Sequence, residues 1–264
     1  MDLQISGKRA LVSGSTKGIG FAIACELARE GARVVINGRQ PQAVTEAVER
    51  LRGQVPGADV TGVAADLSSP AGIATLVAAV PQVDILVNNL GIFDPVPFAE
   101  IPDSEWQRFF DTNVMSGVRL ARHYLPGMTA ANWGRIVFIS SESAINTPGE
   151  MVHYGMTKSA QLAVSRGLAQ SCAGTGVTVN AVLPGPTRSE GVGEFFAKLA
   201  AEQGIPLDEM ERRFFAEGRP TSILKRMIDP AEVAALVAYV CSARAAATTG
   251  AALRVEGGIV STIC

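Results

Sequence analysis

Tyr154 and Lys158 stand four residues apart in the stretch SSESAINTPGEMVHYGMTK, residues 140–158. Apolar spacing from residue 153 onward predicts a long helix, so the two side chains share one face and can reach one ligand. A tyrosine hydroxyl has a pKa of about 10 in water, and a neighbouring ammonium should lower that pKa toward values useful for proton transfer. We interpret the pair as a candidate proton donor and acceptor. An exposed aromatic ring beside a solvated lysine would produce the same pattern.

A glycine-rich turn near the N-terminus is the second candidate site. The segment LVSGSTKGIGFAIACELAREGARVVINGR, residues 11–39, predicts a strand, a turn, an amphipathic helix and a second strand. Glycines permit a tight turn and close backbone approach, while the helix N-terminus presents free N–H groups to a pyrophosphate. The segment therefore predicts dinucleotide binding. The expected contacts in the turn are Gly14, Ser15, Lys17, Gly18, Ile19 and Gly20.

The end of the second strand indicates which dinucleotide is bound. NAD-binding domains usually place an acid there for the adenosine ribose, whereas this chain has Asn37, Gly38 and Arg39. Arg39 can meet a 2′-phosphate with a planar fork of donors, and Lys17 adds a second cation on the same side. We predict NADP(H) over NAD(H). The alternative is that both cations are solvated surface charges.

Two further strand ends carry candidate cofactor contacts. Asp66 ends a third strand and is followed by Leu67, which we expect to meet the adenine ring. Asn88 and Gly91 follow a fourth strand. The asparagine side chains there serve equally well as braces of the loop backbone, because short amides often bond local main-chain groups.

The order of elements predicts a single doubly wound α/β domain over residues 1–264. Seven short apolar runs alternate with helix-like segments, and their near-continuous hydrophobicity is typical of parallel strands covered on both faces. Residues 189–228 break the alternation with two apparent short helices. We call them the lid segment, because an insertion after the C-terminal end of a strand lies where ligands bind. Its phenylalanines, Phe195, Phe196, Phe214 and Phe215, could instead pack a surface helical pair on the body.

Composition and charge exclude several classes of protein. Of the 264 residues, 47% are hydrophobic and 18% charged, and 23 basic against 25 acidic residues give a net charge of −2. This balance predicts neither nucleic acid nor an anionic membrane as partner. The opening residues lack the order of a secretory signal, so we expect a soluble, cytoplasmic protein. The spacing of the cysteines and histidines predicts free thiols and no metal site.

The whole chain resembles the short-chain dehydrogenase/reductase family. The resemblance rests on SGSTKGIG, NNLG, DTNV, a serine pair with Ser141 thirteen residues before Tyr154, YGMTK, LPGPT and LRVEGG, in the family's order and spacing from about residue 7 to residue 258. Departures are Ser13 for the usual threonine, Leu90 for the usual alanine, which should crowd the cofactor loop, and Glu256 for a common aspartate.

The resemblance implies a catalytic tetrad of Asn113, Ser141, Tyr154 and Lys158. Tyr154 would protonate the carbonyl oxygen while hydride arrives from the nicotinamide. Lys158 would lower the pKa of Tyr154 and bind the nicotinamide ribose, and Asn113 would organise a water on the proton path. Pro184, Gly185 and Thr187 match the segment that contacts the nicotinamide. The family also implies a Rossmann fold with a seven-stranded parallel sheet, a homodimer or homotetramer built on two long helices, and alcohols or ketones as substrates.

The substrate has to be argued from local residues, because one fold serves many substrates. The candidate pocket residues are Phe93, Glu142, Ile145, Asn146, Met151 and His153, with the lid phenylalanines. Their apolar majority favours a moderately hydrophobic ketone or a 3-oxoacyl thioester. Glu142 could bind a substrate hydroxyl or amine, or it could cap its own turn. We expect His153 to pack at the start of the helix and to take no part in acid/base chemistry.

Two other functions are alternatives to this enzyme. One is a non-catalytic NADP(H) sensor or scaffold. The other is a double-bond reductase, whose wider tyrosine-to-lysine spacing this chain lacks.

Overall fold

The computed structural model describes residues 1–263, except for the side chains of residues 194 and 195. Phe195, predicted to belong to the lid, has a side chain outside the described part. Seven parallel strands form one sheet in the order β3-β2-β1-β4-β5-β6-β7, which confirms the predicted doubly wound architecture. The strands are β1 Arg9–Val12, β2 Arg33–Gly38, β3 Val60–Ala64, β4 Ile85–Asn88, β5 Gly134–Ile139, β6 Val177–Pro184 and β7 Ala252–Val255.

Helices cover both faces of the sheet. They are α1 Gly18–Arg29, α2 Pro41–Gln54, α3 Pro70–Ala79, α4 Asp103–Phe110, α5 Ser116–Ala130, α6 Val152–Ser171, α7 Glu190–Gln203, α8 Leu207–Arg213 and α9 Pro230–Val240. One core joins α1 and α9 to the sheet, and a second core joins α3 and α5 to the other face. Every residue of β4, β5 and β6 is buried, which explains their predominantly apolar sequences.

Two π-helical turns interrupt the helical segments. The first, Asp111–Met115, joins α4 to α5 and contains Asn113, and the second, Phe214–Gly218, follows α8 and leads to Arg219. Such turns often occur at functional sites, because they redirect backbone groups out of the regular helical pattern. Here each turn brings one polar residue to the same end of the sheet.

The lid segment forms α7, α8 and the second π turn. It has its own small core, in which Phe196, Met210 and Phe215 are buried. The chain returns to the body at Asp229, which caps α9 in a capping box with Glu232.

Two findings bear on the excluded classes. Within residues 1–263, no helix has both the length and the apolarity to cross a bilayer. The same residues hold no group of three His, Cys, Asp or Glu side chains that could bind a metal ion. Cys25, Cys172 and Cys241 are buried free thiols, as predicted, and the fourth cysteine, Cys264, lies outside the described residues.

Candidate active site

A cavity of about 370 Å³ opens at the carboxyl end of the sheet, where ligands bind in open α/β folds. Ile19 of the glycine-rich turn and Pro184 and Gly185 from the end of β6 line one part, and Ser141 and Tyr154 line another. Several candidate cofactor residues and two of the candidate catalytic residues therefore line one continuous space.

The side chains of Tyr154 and Lys158 lie on one face of α6, as predicted from their spacing. The Lys158 ammonium nitrogen is 5.5 Å from the centroid of the tyrosine ring. It donates hydrogen bonds to the Ile139 carbonyl oxygen at 2.9 Å and to the Gln161 amide oxygen at 3.3 Å. Those two contacts hold the lysine beneath the tyrosine ring, at the end of β5.

Burial controls the titration of both groups in the protein chain alone. Desolvation lowers the pKa of Lys158 to about 7 and raises the pKa of Tyr154 above its ordinary value. A hydrogen-bonding interaction with Ser141 partly opposes the rise in the tyrosine pKa. In the chain by itself, loss of solvent disfavours both charged forms, so burial outweighs the lowering of the Tyr154 pKa that was expected from Lys158.

Lys158 should make folding stability depend on pH. The folded pKa of about 7 lies below the value of about 10.4 for lysine in an unfolded chain, so the unfolded state binds more protons between these values. Stability should then rise with pH across that window. We expect the wild type to gain roughly 2 kcal/mol more unfolding free energy between pH 7 and 9 than Lys158→Met, measured by urea unfolding. Equal gains in the two proteins would contradict the assignment.

Ser141 caps the short helical turn Glu142–Ala144 at the end of β5. Its hydroxyl donates to the Glu142 carboxylate at 2.5 Å and accepts from the Ser143 backbone N–H at 3.1 Å. The hydroxyl proton is thus directed at Glu142 and away from a substrate carbonyl. Ser140, the other member of the serine pair, donates to the Lys158 carbonyl oxygen at 2.9 Å and is buried.

Asn113 braces the loop after β4. Its amide accepts from the Ile92 N–H at 2.8 Å and donates to the Ile92 carbonyl at 3.0 Å and to the Thr157 hydroxyl at 2.9 Å. The Asn113 backbone carbonyl oxygen accepts from the Gln161 side-chain amide at 2.6 Å. Sequence reasoning missed Gln161, which bridges Asn113 and Lys158. Its position one turn after Lys158 on a buried helix face was the available signal.

His153 packs inside the protein, as predicted. Both ring nitrogens are buried without a hydrogen-bond partner, and the ring centroid is 4.0 Å from that of Phe109. Desolvation lowers the pKa of this imidazole. We assign no acid/base role to it.

The glycine-rich turn is held by side chains that point away from the cavity. Ser15 donates to the Val12 carbonyl at 2.6 Å, and the Asn37 amide accepts from the Gly14 N–H at 3.2 Å while donating to carbonyls of residues 63 and 65. Asn89 donates to the carbonyls of residues 13 and 14 at 3.0 and 2.9 Å. Ser15 and Asn37 are buried, so their side chains brace the turn, and any contact with a dinucleotide would come from its exposed backbone.

The turn depends on glycine for its conformation and for its close packing. Gly14 and Gly18 have φ angles of 59° and 61°, in the left-handed region that favours glycine. Leu90 packs directly on Gly14, where a Cβ would lie 3.3 Å from the Leu90 Cδ1 atom. A Cβ on Gly20 would meet the Gly14 carbonyl oxygen at 2.6 Å. Only glycine lets helix α1 begin so near the turn.

A carboxylate of the protein sits on the predicted pyrophosphate site. Glu190, the first residue of α7, accepts a hydrogen bond from the Gly18 N–H at 2.7 Å. This N–H belongs to the start of α1, where the free donors and the helix dipole favour an anion. An anion held at this donor supports the fit of a pyrophosphate to the turn. Glu190, 172 positions away from Gly18, could not be foreseen from the sequence.

The Glu190 contact predicts competition with the cofactor. Replacing Glu190 by Gln removes the charge that shares the Gly18 donor, and we expect about fivefold tighter NADPH binding by fluorescence titration. Glu202→Gln is the matched control, because Glu202 lies on the same helix and faces Lys198 at 3.8 Å. Unchanged affinity in Glu190→Gln would mean that the carboxylate does not compete.

The remaining cofactor candidates divide into exposed and buried groups. Lys17 and Arg39 are exposed, and among residues 1–263 neither side chain has a salt bridge or hydrogen bond. Asp66 is exposed and accepts from the Ser68 hydroxyl at 2.8 Å. Leu67 is 1% exposed in the core beside α3, so the expected contact of its side chain with adenine is wrong. It turns inward because it is the apolar anchor of the loop after β3.

Three candidates lie close to the tetrad or to the end of β6. The Asn88 amide is buried with no hydrogen-bond partner, so the bracing role falls to Asn89. A Cβ on Gly91 would lie 3.3 Å from the Lys158 ammonium. Thr187 is buried and donates to the Gly185 carbonyl at 2.9 Å.

The lid segment covers the substrate side of the cavity. Val192, Phe196, Leu199 and Phe214 line it opposite Phe93 and Met151. The Phe93 ring stands edge-on to Tyr154 with centroids 6.4 Å apart. Glu142 and Arg219 are the charged pair beside Ser141, and their side chains are 3.3 Å apart. Ile145 and Asn146 are exposed and do not line the cavity.

Comparison with known proteins identifies the family. A family model described as enoyl-(acyl carrier protein) reductase matches residues 14–260. An uncharacterized oxidoreductase, YvaG, of Bacillus subtilis is 49% identical over 263 residues and covers 100% of both chains. The chain belongs to the short-chain dehydrogenase/reductase family. It is therefore an oxidoreductase of that family, as the resemblance implies.

Solved structures of other family members match this short-chain dehydrogenase/reductase along its length. L-sorbose reductase from Gluconobacter frateurii, crystallised with NADPH and L-sorbose, is 33% identical, covers 100% of both chains and superposes with a TM-score of 0.94. Actinorhodin polyketide ketoreductase, crystallised with NADPH, is 32% identical, covers 97% of this chain and 98% of its own, and has a TM-score of 0.89.

Proposed function

We propose that the chain is an NADP(H)-dependent oxidoreductase that interconverts a secondary alcohol and a ketone, with Tyr154 as the acid/base residue. The observation that carries the proposal is the single cavity shared by Ile19 of the glycine-rich turn and by Ser141 and Tyr154. A cofactor lying along the turn would reach the tyrosine through that space.

The cofactor supplies a hydride to the carbonyl carbon in reduction, and the remaining steps fall to the chain. Tyr154 gives its phenolic proton to the carbonyl oxygen, which leaves an alcohol and a phenolate. Lys158, in contact with the tyrosine ring, stabilises that phenolate by its charge. A proton from solvent then restores the phenol. In the oxidation of an alcohol the same tyrosine accepts the proton.

The preference for NADP(H) rests on charge at the end of β2. Lys17 and Arg39 are exposed cations, and β2 ends at Gly38 with no carboxylate next to it to repel a 2′-phosphate. Two structural relatives were crystallised with NADPH. Both observations support the same choice of cofactor.

The cavity walls favour a moderately hydrophobic carbonyl substrate or a 3-oxoacyl thioester. The lid contributes Val192, Phe196, Leu199 and Phe214, and the body contributes Phe93. These side chains suit an aliphatic or aromatic chain next to the reacting carbonyl. We expect the protein to act as a homodimer or homotetramer, which light scattering after size-exclusion chromatography tests.

A second candidate, reduction of a carbon–carbon double bond in an enoyl thioester, is favoured by the description of the matching family model. The four-residue spacing from Tyr154 to Lys158 argues for the carbonyl reaction, as noted above. NADPH oxidation should be followed with ketones, 3-oxoacyl thioesters and enoyl thioesters in parallel. We expect turnover in one of the first two groups. Turnover with enoyl thioesters alone would overturn the proposal in favour of the second candidate.

A further inference from the structure

A buried carboxylate lies directly behind the catalytic serine. Glu142 is 4% exposed, and one of its oxygens accepts from the Ser141 hydroxyl at 2.5 Å, the Ser143 hydroxyl at 2.9 Å and the Ser143 N–H at 2.6 Å. These partners are all donors, so the group acts as a pure acceptor. An acid in this place costs desolvation energy, which the turn offsets with hydrogen bonds.

The counter-ion of this carboxylate comes from the lid segment. Arg219, 77 positions later, donates from Nε to the other Glu142 oxygen at 3.3 Å. The arginine side chain is 10% exposed, and its Nη1 atom donates to the Gly218 carbonyl at 2.7 Å. Its guanidinium carbon is 5.4 Å from the centroid of the Phe214 ring. The π turn thus delivers a fixed positive charge to a wall of the active-site cavity.

The contact with Glu142 determines what Ser141 can offer to Tyr154. A serine hydroxyl has one proton and two lone pairs. In this structure the hydroxyl proton points to the Glu142 carboxylate and one lone pair accepts from the Ser143 N–H, so the position of the Ser141 hydroxyl is fixed. Ser141 is also a hydrogen-bonding neighbour of Tyr154. Glu142 thereby controls, through the serine, the polar surroundings of the tyrosine oxygen.

The two charges act on Tyr154 in opposite directions. The negative charge of Glu142 raises the pKa of the tyrosine and the positive charge of Arg219 lowers it. Two other charged groups face this part of the site. Lys158 comes from the same helix as Tyr154, and Glu150, from the turn before that helix, lies 3.8 Å from Arg219 with an exposed side chain.

We propose that Glu142 is a positioning residue for the reaction of Tyr154, fixing the Ser141 hydroxyl beside it, and that Arg219 of the lid segment is its obligatory counter-ion. The proposal rests on the proposed function, because it assigns a task to residues around the acid/base tyrosine. It also gives the lid segment a second role. The segment that encloses the substrate carries Arg219, whose positive charge neutralises the Glu142 carboxylate.

The pH dependence of kcat for alcohol oxidation by NADP⁺ tests this assignment. In that direction Tyr154 must be ionised, so the acidic limb of the profile follows its pKa. We expect Glu142→Gln to move the limb to lower pH by about one unit, and Arg219→Met to move it to higher pH by about one unit. Combining the two substitutions should return the limb near its wild-type position, because no charge is then left unpaired.

Control variants separate this assignment from general damage to the fold. Arg219→Lys keeps the charge and should leave the limb within about 0.3 units of wild type. Glu217→Gln removes an exposed acid two residues before Arg219 and should leave the profile unchanged. NADPH affinity should be the same in all variants, which verifies that each one is folded.

The outcomes distinguish this inference from the function on which it depends. Limbs that move in the same direction in Glu142→Gln and Arg219→Met, or that stay in place while the wild type turns over, would overturn the positioning role alone. A wild type that binds NADPH and turns over no ketone or alcohol would overturn the proposed function, and this inference with it.

Discussion

The Tyr154→Phe variant is expected to lose roughly a thousandfold in kcat for ketone reduction and to bind NADPH as tightly as the wild type. The phenylalanine keeps the ring in contact with Phe93 and Lys158 but removes the one hydroxyl on α6 that faces the cavity beside Ser141. His153 cannot replace that hydroxyl, because its ring is buried away from the cavity. Kinetics under saturating NADPH measure the loss in kcat, and fluorescence titration measures the affinity.

A matched control uses another tyrosine of the chain. Tyr239 lies on α9 with an exposed ring, so Tyr239→Phe should leave kcat unchanged. A Tyr154→Phe variant that kept more than about a tenth of wild-type kcat would remove the tyrosine from the mechanism. If the variant lost NADPH affinity as well, its effect would be structural.

Replacing Lys17 and Arg39 together by alanine is expected to weaken NADPH binding about 100-fold and to leave NADH binding nearly unchanged. A hydrogen bond to a charged group contributes about 1.5–3 kcal/mol, so the loss of each cation should cost about tenfold or more. NADH lacks the 2′-phosphate and gains nothing from either side chain. Isothermal titration calorimetry with both cofactors gives the two ratios.

Two arginine variants show whether weaker NADPH binding comes from the loss of positive charge or from a change in the structure of the glycine-rich turn. Arg122 is exposed on α5, and Arg122→Ala removes one positive charge without altering the glycine-rich turn. Arg50 donates to the Thr16 carbonyl at 2.7 Å and stacks on Phe21, so Arg50→Ala should weaken NADPH and NADH equally by loosening the turn. If the Lys17 and Arg39 variant also weakened both cofactors equally, selection by the 2′-phosphate would be ruled out.

The sheet and the proximity of Ser141, Tyr154 and Lys158 could be predicted because local signals specify them. β4, β5 and β6 are buried on both faces, and their sequences are therefore predominantly apolar. Tyr154 and Lys158 lie one helical turn apart, so the period of the helix brings them together. The family motifs then place Ser141 and Asn113 beside them.

The contacts that tune the site depend on the path of the lid segment, which the sequence does not specify. Arg219 meets Glu142 across 77 positions and Glu190 meets Gly18 across 172, and neither pair has a spacing rule. The side-chain directions of Leu67 and Asn37 could not be predicted for a different reason. Asn37 lies near the end of β2 and Leu67 follows β3, and the sequence does not reveal whether such a side chain turns toward the ligand or into the protein.

The pKa of Tyr154 also depends on information that spacing does not hold. A lysine four residues away predicts a lowered pKa, but burial raises it and lowers the pKa of Lys158 to about 7. Desolvation depends on how closely the surrounding elements enclose the pair. The charge of a bound cofactor would then add to the effect of burial on the pKa values of Tyr154 and Lys158.

Transfer of deuterium from labelled NADPH tests most directly whether this chain reduces carbonyl groups. NADPH deuterated at the ring carbon that donates hydride is incubated with the wild type and a mixture of ketones, 3-oxoacyl thioesters and enoyl thioesters, and the products are analysed by mass spectrometry. We predict one deuterium on the carbinol carbon of a secondary alcohol, and none transferred by Tyr154→Phe. Deuterium found only in a saturated thioester, or equal transfer by Tyr154→Phe, would contradict the proposed carbonyl reduction.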